Sequence, residues 1–194
     1  HHKAVVNIIT WINKFFHINI NDRILFVTSM CFDLSVYDIF GLLAAGGSIR
    51  IASRNDVRNP ERLLQILRCE PITFWDSAPA MTSQLMSLIA TEDSSIISNH
   101  LRLVLLSGDW IPVALPNLLK KNFPNLQVIS LGGATEATIW SNHYSILKVD
   151  PNWESIPYGK PTQNNTYHIL DSYLNPVPVG VRGEIYIGGA GLAR

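Results

Sequence analysis

Residues 101–131 read LRLVLLSGDWIPVALPNLLKKNFPNLQVISL, and this stretch decides the fold. Residues 101–106 form an apolar run too short for a helix and of the length of a buried strand. Residues 112–123 carry a helical pattern that Pro116 either kinks or delays. Residues 127–131 are again a short apolar strand. A strand, a helix and a second strand within about thirty residues make a crossover unit with parallel strands. The same alternation extends upstream. Residues 4–16, 36–45, 60–69 and 79–90 read as helices, and residues 23–28, 48–52 and 72–75 as strands. Gly46-Gly47 closes the second helix, while Asn59 caps the third, with Pro60 at its first position. Downstream, a short helix follows Thr135. Past about residue 150 the pattern changes. Pro151, Pro157, Pro161, Pro176 and Pro178 break the chain, and residues 167–170 and 184–188 read as a hairpin-like strand pair. The expected fold is α/β: a mostly parallel sheet with flanking helices over residues 1–150, followed by the start of a small β-rich subdomain over residues 151–194.

Composition narrows the function. The chain has 194 residues, about 1.3 domains by the usual size prior. Apolar residues make up 47% and charged residues only 15%, little solvated surface for the length. That balance, the absence of an initiator Met or signal segment, and an end that falls just after a strand lead us to expect a piece of a larger protein. Fifteen basic and fifteen acidic residues cancel, which argues against a nucleic-acid partner. No apolar run approaches the ~20 residues of a membrane span. Cys31 and Cys69 form neither a disulfide framework nor a metal motif, so the cytoplasm is expected.

Ligands of open parallel sheets bind beyond the carboxyl ends of the strands. Polar residues collect at four such ends: Phe32-Asp33-Leu34-Ser35, Asp76-Ser77, Ser107-Gly108-Asp109 and Leu131-Gly132-Gly133-Ala134-Thr135-Glu136. Each alone is ordinary turn chemistry; together they favour a polar-lined cleft. Asp33 is the most informative. Ser35 and Asp38 have the spacing of an acidic capping box, and Leu34 with Ile39 that of a hydrophobic staple, which leaves Asp33 spare. A carboxylate in apolar surroundings needs a partner, either a cationic ligand group such as an ammonium or an unseen residue of the chain. In GGATEAT, residues 132–138, glycines allow close backbone approach to a ligand. Thr135 offers a hydroxyl to a phosphate and Glu136 a hard oxygen to Mg2+. The bland alternative is a glycine turn whose Glu136 favours the helix start. Other signals stay bland. The six histidines share no metal spacing, residues 188–191 lack the helix of a dinucleotide fingerprint, and Trp75, Trp110 and Trp140 suit either a pocket or a core.

FDLSVYDIF, SLGGATEA and GEIYIGGAGLAR, in this order and spacing, resemble the adenylation domains of nonribosomal peptide synthetases, of the adenylate-forming superfamily. The resemblance covers essentially the whole chain. It implies a two-step ligase: ATP and an amino acid give an aminoacyl-adenylate and pyrophosphate, and the acyl group then passes to the phosphopantetheine thiol of a carrier domain. By motif position, Asp33 takes the substrate's α-ammonium, Glu136 the Mg2+ ion, and Thr135 a phosphate. Gly108, Ser107 and Asp109 resemble the adenine-side loop, with Gly133 beside them. Ser130 stands where the family usually has Asn, Gly132 where it has the Tyr that stacks on adenine, and Ala134 where it has Pro. The implied side-chain pocket is Asp33, Leu34, Tyr37, Asp76, Leu105, Ser107, Leu131, Ile139 and Trp140. That set is similar to cysteine-activating domains except for Asp76, where Asn is expected. The added acid could favour a basic or hydrogen-bonding side chain. The family's phosphate loop, ribose-binding Asp and C-terminal subdomain are expected outside these residues, so the isolated chain is expected not to turn over. Two rival readings remain: an acyl- or aryl-acid ligase of the same superfamily, and a non-catalytic interaction module on the same fold.

Overall fold

The computed structural model describes residues 2–90 and 97–193. His1, and Arg194 at the end of the third motif, lie outside the described residues. In chain order the elements are α1 (His2–Phe15), β1 (Arg23–Phe26), α2 (Leu34–Val36), a π-helical turn (Tyr37–Gly41), α3 (Leu42–Ala44), β2 (Ser48–Ile51), α4 (Arg54–Val57), α5 (Pro60–Cys69), β3 (Phe74–Ser77), α6 (Pro79–Ile89), β4 (Leu103–Leu106), α7 (Leu115–Asn122), β5 (Gln127–Gly132), a 3-10 turn (Thr135–Ala137), β6 (Asn142–Ser145), β7 (Lys160–Pro161), β8 (Asn165–Leu170) and β9 (Glu184–Gly189).

Seven strands form one sheet in the order β2-β1-β3-β4-β5-β6-β7. The first five are parallel, and β6 and β7 run antiparallel at one edge. The order 2-1-3-4-5 is doubly wound, with helices on both faces. Alternation along each strand divides the core accordingly. Leu25, Trp75, Val104, Leu106 and Val128 pack under α5, α6 and α7. Ile24, Phe74, Leu103, Leu105 and Ile129 pack on the opposite face, against α1 and the segment of residues 34–44. β4 is buried from end to end, as a central parallel strand must be. β8 and β9 pair antiparallel as a separate two-stranded sheet.

Local chemistry sets the boundaries. Asn59 Oδ1 accepts from the amides of Glu61 at 2.9 Å and Arg62 at 3.3 Å, capping α5. Pro116 sits in the first turn of α7, so it delays that helix to Leu115 and does not kink it. Thr73 leads into β3: its amide donates to Arg23 O at 3.0 Å, and its hydroxyl accepts from Arg23 N at 2.8 Å and donates to Asp22 Oδ1 at 2.9 Å. The strand itself runs Phe74–Ser77, two residues later than residues 72–75, and Asp76 and Ser77 lie inside it. β7 carries the larger sheet to Pro161, beyond residue 150. The expected capping box is absent: Ser35 Oγ donates to Phe32 O at 2.7 Å, and Asp38 lies fully buried in the π-helical turn.

Candidate functional site

The carboxyl ends of β4 and β5 open into a cavity of about 520 Å³. Its walls include Gly108, Asp109 and Trp110 after β4, and Ser130 with Gly132 and Gly133 at the end of β5. Gly108 has φ +84° and open space where a Cβ would stand, so the turn needs a glycine and leaves room for a ligand. Gly133 is required for a different reason. A Cβ there would lie 2.7 Å from Ile139 O and 2.8 Å from Ser141 N, backbone atoms that cannot move aside. Asp109 is exposed and its carboxylate accepts from Trp110 N at 2.7 Å. Ser130 is half-buried within β5, between Leu106 of β4 and Tyr144 of β6. A nucleotide fits this wall chemically: flat glycine backbone, a hydroxyl and exposed aromatic surface.

A buried acidic pair, Asp38 and Asp76, lies on the sheet face that packs against residues 34–44. Asp33 is half-buried at the start of α2, caps no amide and forms no ion pair among the described residues. Asp76 points to the same sheet face as Phe74, directly across from Leu105 of β4. It meets Asp38 there, both 0% exposed. The two carboxyls lie within hydrogen-bonding reach of each other. As carboxylates neither could donate to the other, so a bond between them needs one to carry a proton. Burial pushes Asp38 up to about 7, against the Asp76 carboxyl and the Thr28 hydroxyl, both of which pull it down. Burial, then the Asp38 charge, then Asp33, hold Asp76 well above the usual carboxylate range. Tyr37 lies over this pair, its ring 5.3 Å from that of Trp140, its hydroxyl donating to Asn13 Oδ1 at 2.9 Å. Burial first, then Asp76 and Asp38, push its phenol upward. Ser107 Oγ and Trp140 Nε1 are buried without partners among the described residues. Leu131 and Ile139 are buried on this face and Leu34 is half-buried against it.

Of the residues expected at the four strand ends, Ser77 faces the other way. It accepts from Trp75 Nε1 at 2.8 Å and lies 2.9 Å from Thr82 Oγ1, so it belongs to the core beneath α6. Thr135 and Glu136 form the exposed 3-10 turn that follows the glycines. After Ala137 ends that turn, Thr138 (φ +60°) and Ile139 (φ +65°) are both left-handed and both β-branched, a strained pair held by its surroundings. Thr138 Oγ1 donates to Gly191 O at 2.6 Å, and Ala193 N donates to Glu136 O at 2.7 Å. The segment that follows β9 thus clamps the turn.

Sequence reasoning missed two residues. Asp38 was hidden by its capping-box spacing, although an acid between Tyr37 and Ile39-Phe40 is out of place on a buried face. Tyr158, which lines the cavity, sits among the prolines and glycine of IPYGKP and carries no periodic signal.

The family model for AMP-binding enzyme matches residues 1–194. Bacitracin synthase 1 of Bacillus licheniformis is 48% identical over 187 residues, covering 96% of this chain and 4% of the relative. The anguibactin system regulator of Vibrio anguillarum is 43% identical over 192 residues, covering 99% of this chain and 18% of the relative. The chain therefore spans less than a fifth of the length of either relative. A solved nonribosomal peptide synthetase, FmoA3, in an AMPPNP-bound form superposes with TM-score 0.92 and 38% identity, over 99% of this chain and 21% of that one. The same protein in an alpha-methyl-L-serine-AMP bound form gives TM-score 0.90 at 37% identity, over 98% of this chain and 22% of that one.

Proposed function

This chain belongs to the AMP-binding enzyme family, and from that premise we propose that it is part of an amino-acid-activating adenylation domain of a nonribosomal peptide synthetase. Residues 1–150 are read as α/β subdomain and residues 151–194 as the beginning of a β-rich subdomain, with β7 returning to the larger sheet. Among the described residues no helix is long and apolar enough to cross a membrane, and both cysteines are free and exposed, which suits the cytoplasm.

The observation that carries the reading is Asp33: half-buried, without a basic partner among the described residues, and close enough to Asp76 to act on its charge. An α-ammonium supplies the missing cation. In the reaction, a carboxylate oxygen of the amino acid attacks the α-phosphorus of ATP, the bond to the β-phosphate breaks, and pyrophosphate leaves. The carrier's phosphopantetheine thiol then attacks the acyl carbon, losing its proton, and AMP leaves. Asp33 fixes the amino acid so that its carboxylate meets the phosphorus in line. Leu34, Tyr37, Asp76, Leu105, Ser107, Leu131, Ile139 and Trp140 surround its side chain. Gly108, Asp109, Ser130, Gly132 and Gly133 form the nucleotide wall, and the Thr135 hydroxyl donates to a phosphate oxygen. Glu136, exposed and unpaired among the described residues, suits Mg2+, which takes one or two carboxylates with phosphates and water and would neutralise charge on the phosphates. The carrier domain and the C-terminal adenylation subdomain are the proposed protein partners.

Amino-acid-dependent ATP–pyrophosphate exchange by the full-length protein that carries this chain tests the reading. Asp33→Ala is expected to cost about 2–5 kcal/mol of transition-state stabilisation, because it strands the ammonium. An unchanged exchange rate would move the assignment to an acid lacking the α-amino group.

A further inference from the structure

Gly132 and Tyr158 share one space. A Cβ on Gly132 would stand 2.6 Å from Asn142 Oδ1, and 2.8 Å from Cε2 and 3.2 Å from Cζ of the Tyr158 ring. That ring occupies the place that a side chain at the end of β5 would otherwise fill, and it does so on the wall of the 520 Å³ cavity. Tyr158 lies on the segment between β6 and β7, remote in sequence from every motif of the strand ends.

The ring is held from behind. Asn142, fully buried in β6, donates from Nδ2 to the Tyr158 carbonyl. The Tyr167 ring of β8 lies at 6.2 Å and 27°, stacked on it. Tyr167 is itself fixed, its hydroxyl 2.6 Å from Ser141 Oγ. The following Gly159 has φ +96° and packs against the backbone of His143, so the main chain at this point has no slack. Even so, Tyr158 remains 49% exposed. A fixed aromatic ring with open surface on a cavity is what a stacked base requires. Trp110, the cavity's other exposed aromatic, is 77% exposed and makes no ring contact among the described residues, so it lacks that preorganisation.

We propose that Tyr158 is the platform on which the purine base of the nucleotide stacks, and that Gly132 is a glycine because the Tyr158 ring and the Asn142 amide that holds it stand where its side chain would be. The inference rests on the adenylation reading, since that reading places a nucleotide in this cavity. It assigns the base contact to a residue outside the strand ends.

Isothermal titration of AMP into the full-length protein that carries this chain tests it without turnover. Tyr158→Ala and Tyr158→Leu are each expected to weaken AMP binding by about tenfold, while Tyr158→Phe stays within about twofold of the parent. Ribose 5-phosphate, which lacks a base, is expected to bind all four proteins alike. The Leu variant keeps apolar bulk behind the cavity, so it separates stacking from packing, and the Phe variant guards against misfolding by Ala. The proposal is overturned if Leu binds AMP as tightly as the parent, if Phe loses as much as Ala, or if ribose 5-phosphate weakens in step with AMP. A parent protein that binds no AMP at all would overturn the nucleotide reading itself, and this inference with it.

Discussion

Replacing Asp38 by Asn is expected to stabilise the chain, by an amount that grows with pH. Asp38 is fully buried against Asp76, and burial raises its carboxyl from 3.8 to about 7. A raised value means that the folded state holds its proton more tightly than the unfolded state. The stabilisation this supplies is complete below about pH 4, where both states are protonated, and is lost as pH rises towards about 7. At about 1.4 kcal/mol per pH unit, the interval from 3.8 to about 7 corresponds to about 4 kcal/mol. An Asn at this position cannot ionise and keeps a donor for Asp76. Urea unfolding of the parent and Asp38→Asn chains, from about pH 4 to about pH 8, measures the effect as a difference, in which distant titrating groups cancel and the paired Asp76 does not. The Asn chain should gain on the parent by about 4 kcal/mol across that range. Because the two acids titrate as a pair, Asp76→Asn should give a difference of the same sign. Parallel profiles, or a parent that gains on the variant as pH rises, would show that the buried pair holds no proton.

Three further outcomes follow from the fold. Asp22 is 2% exposed and receives Arg102 Nε at 2.8 Å and Nη2 at 2.6 Å; Arg102→Met strands that buried charge and should cost about 3–5 kcal/mol in urea unfolding at neutral pH. Burial works against the Asp22 carboxylate, but its hydrogen bonds to Arg102, Asn19 and Thr73 win and lower it, so the penalty should shrink as pH falls below the unfolded value of 3.8. Gly133→Ala forces a Cβ onto the backbone of Ile139 and Ser141 and should cost about 1–3 kcal/mol, with loss of AMP binding by calorimetry. Asn59→Ala removes the cap of α5 and should lower stability by about 1 kcal/mol by the same urea titration, leaving AMP binding unchanged.

The parallel sheet was legible because its strands are near-continuous apolar runs and its helices carry regular stripes. The cap at Asn59 and the glycine turn after β5 were readable from residue type alone. β6 and β7 were not: NHYS alternates weakly, and Lys160–Pro161 is a two-residue edge pairing with no pattern of its own. The start of β3 was read two residues early because Ile72 and Thr73 look like strand residues, whereas the pairing of β3 with its neighbours begins at Phe74. At the candidate site, the pattern of strand ends pointed to Asp33, Asp76, Ser107 and the glycines as candidates. It could not give Asp38, since two acids separated by more than thirty residues meet only once β1 and β3 are neighbours.

The clasp between Thr138 and Gly191 spans fifty-three residues. A ribosome releases β5 and its left-handed turn well before β9, so during synthesis the turn carrying Glu136 has no fastening. Long-range closures of this kind come late, after the local crossovers have condensed. The segment after β9 is therefore a quality gate: a nascent polypeptide cannot fasten the loop at Thr135–Glu136 until Gly191 and Ala193 have been made.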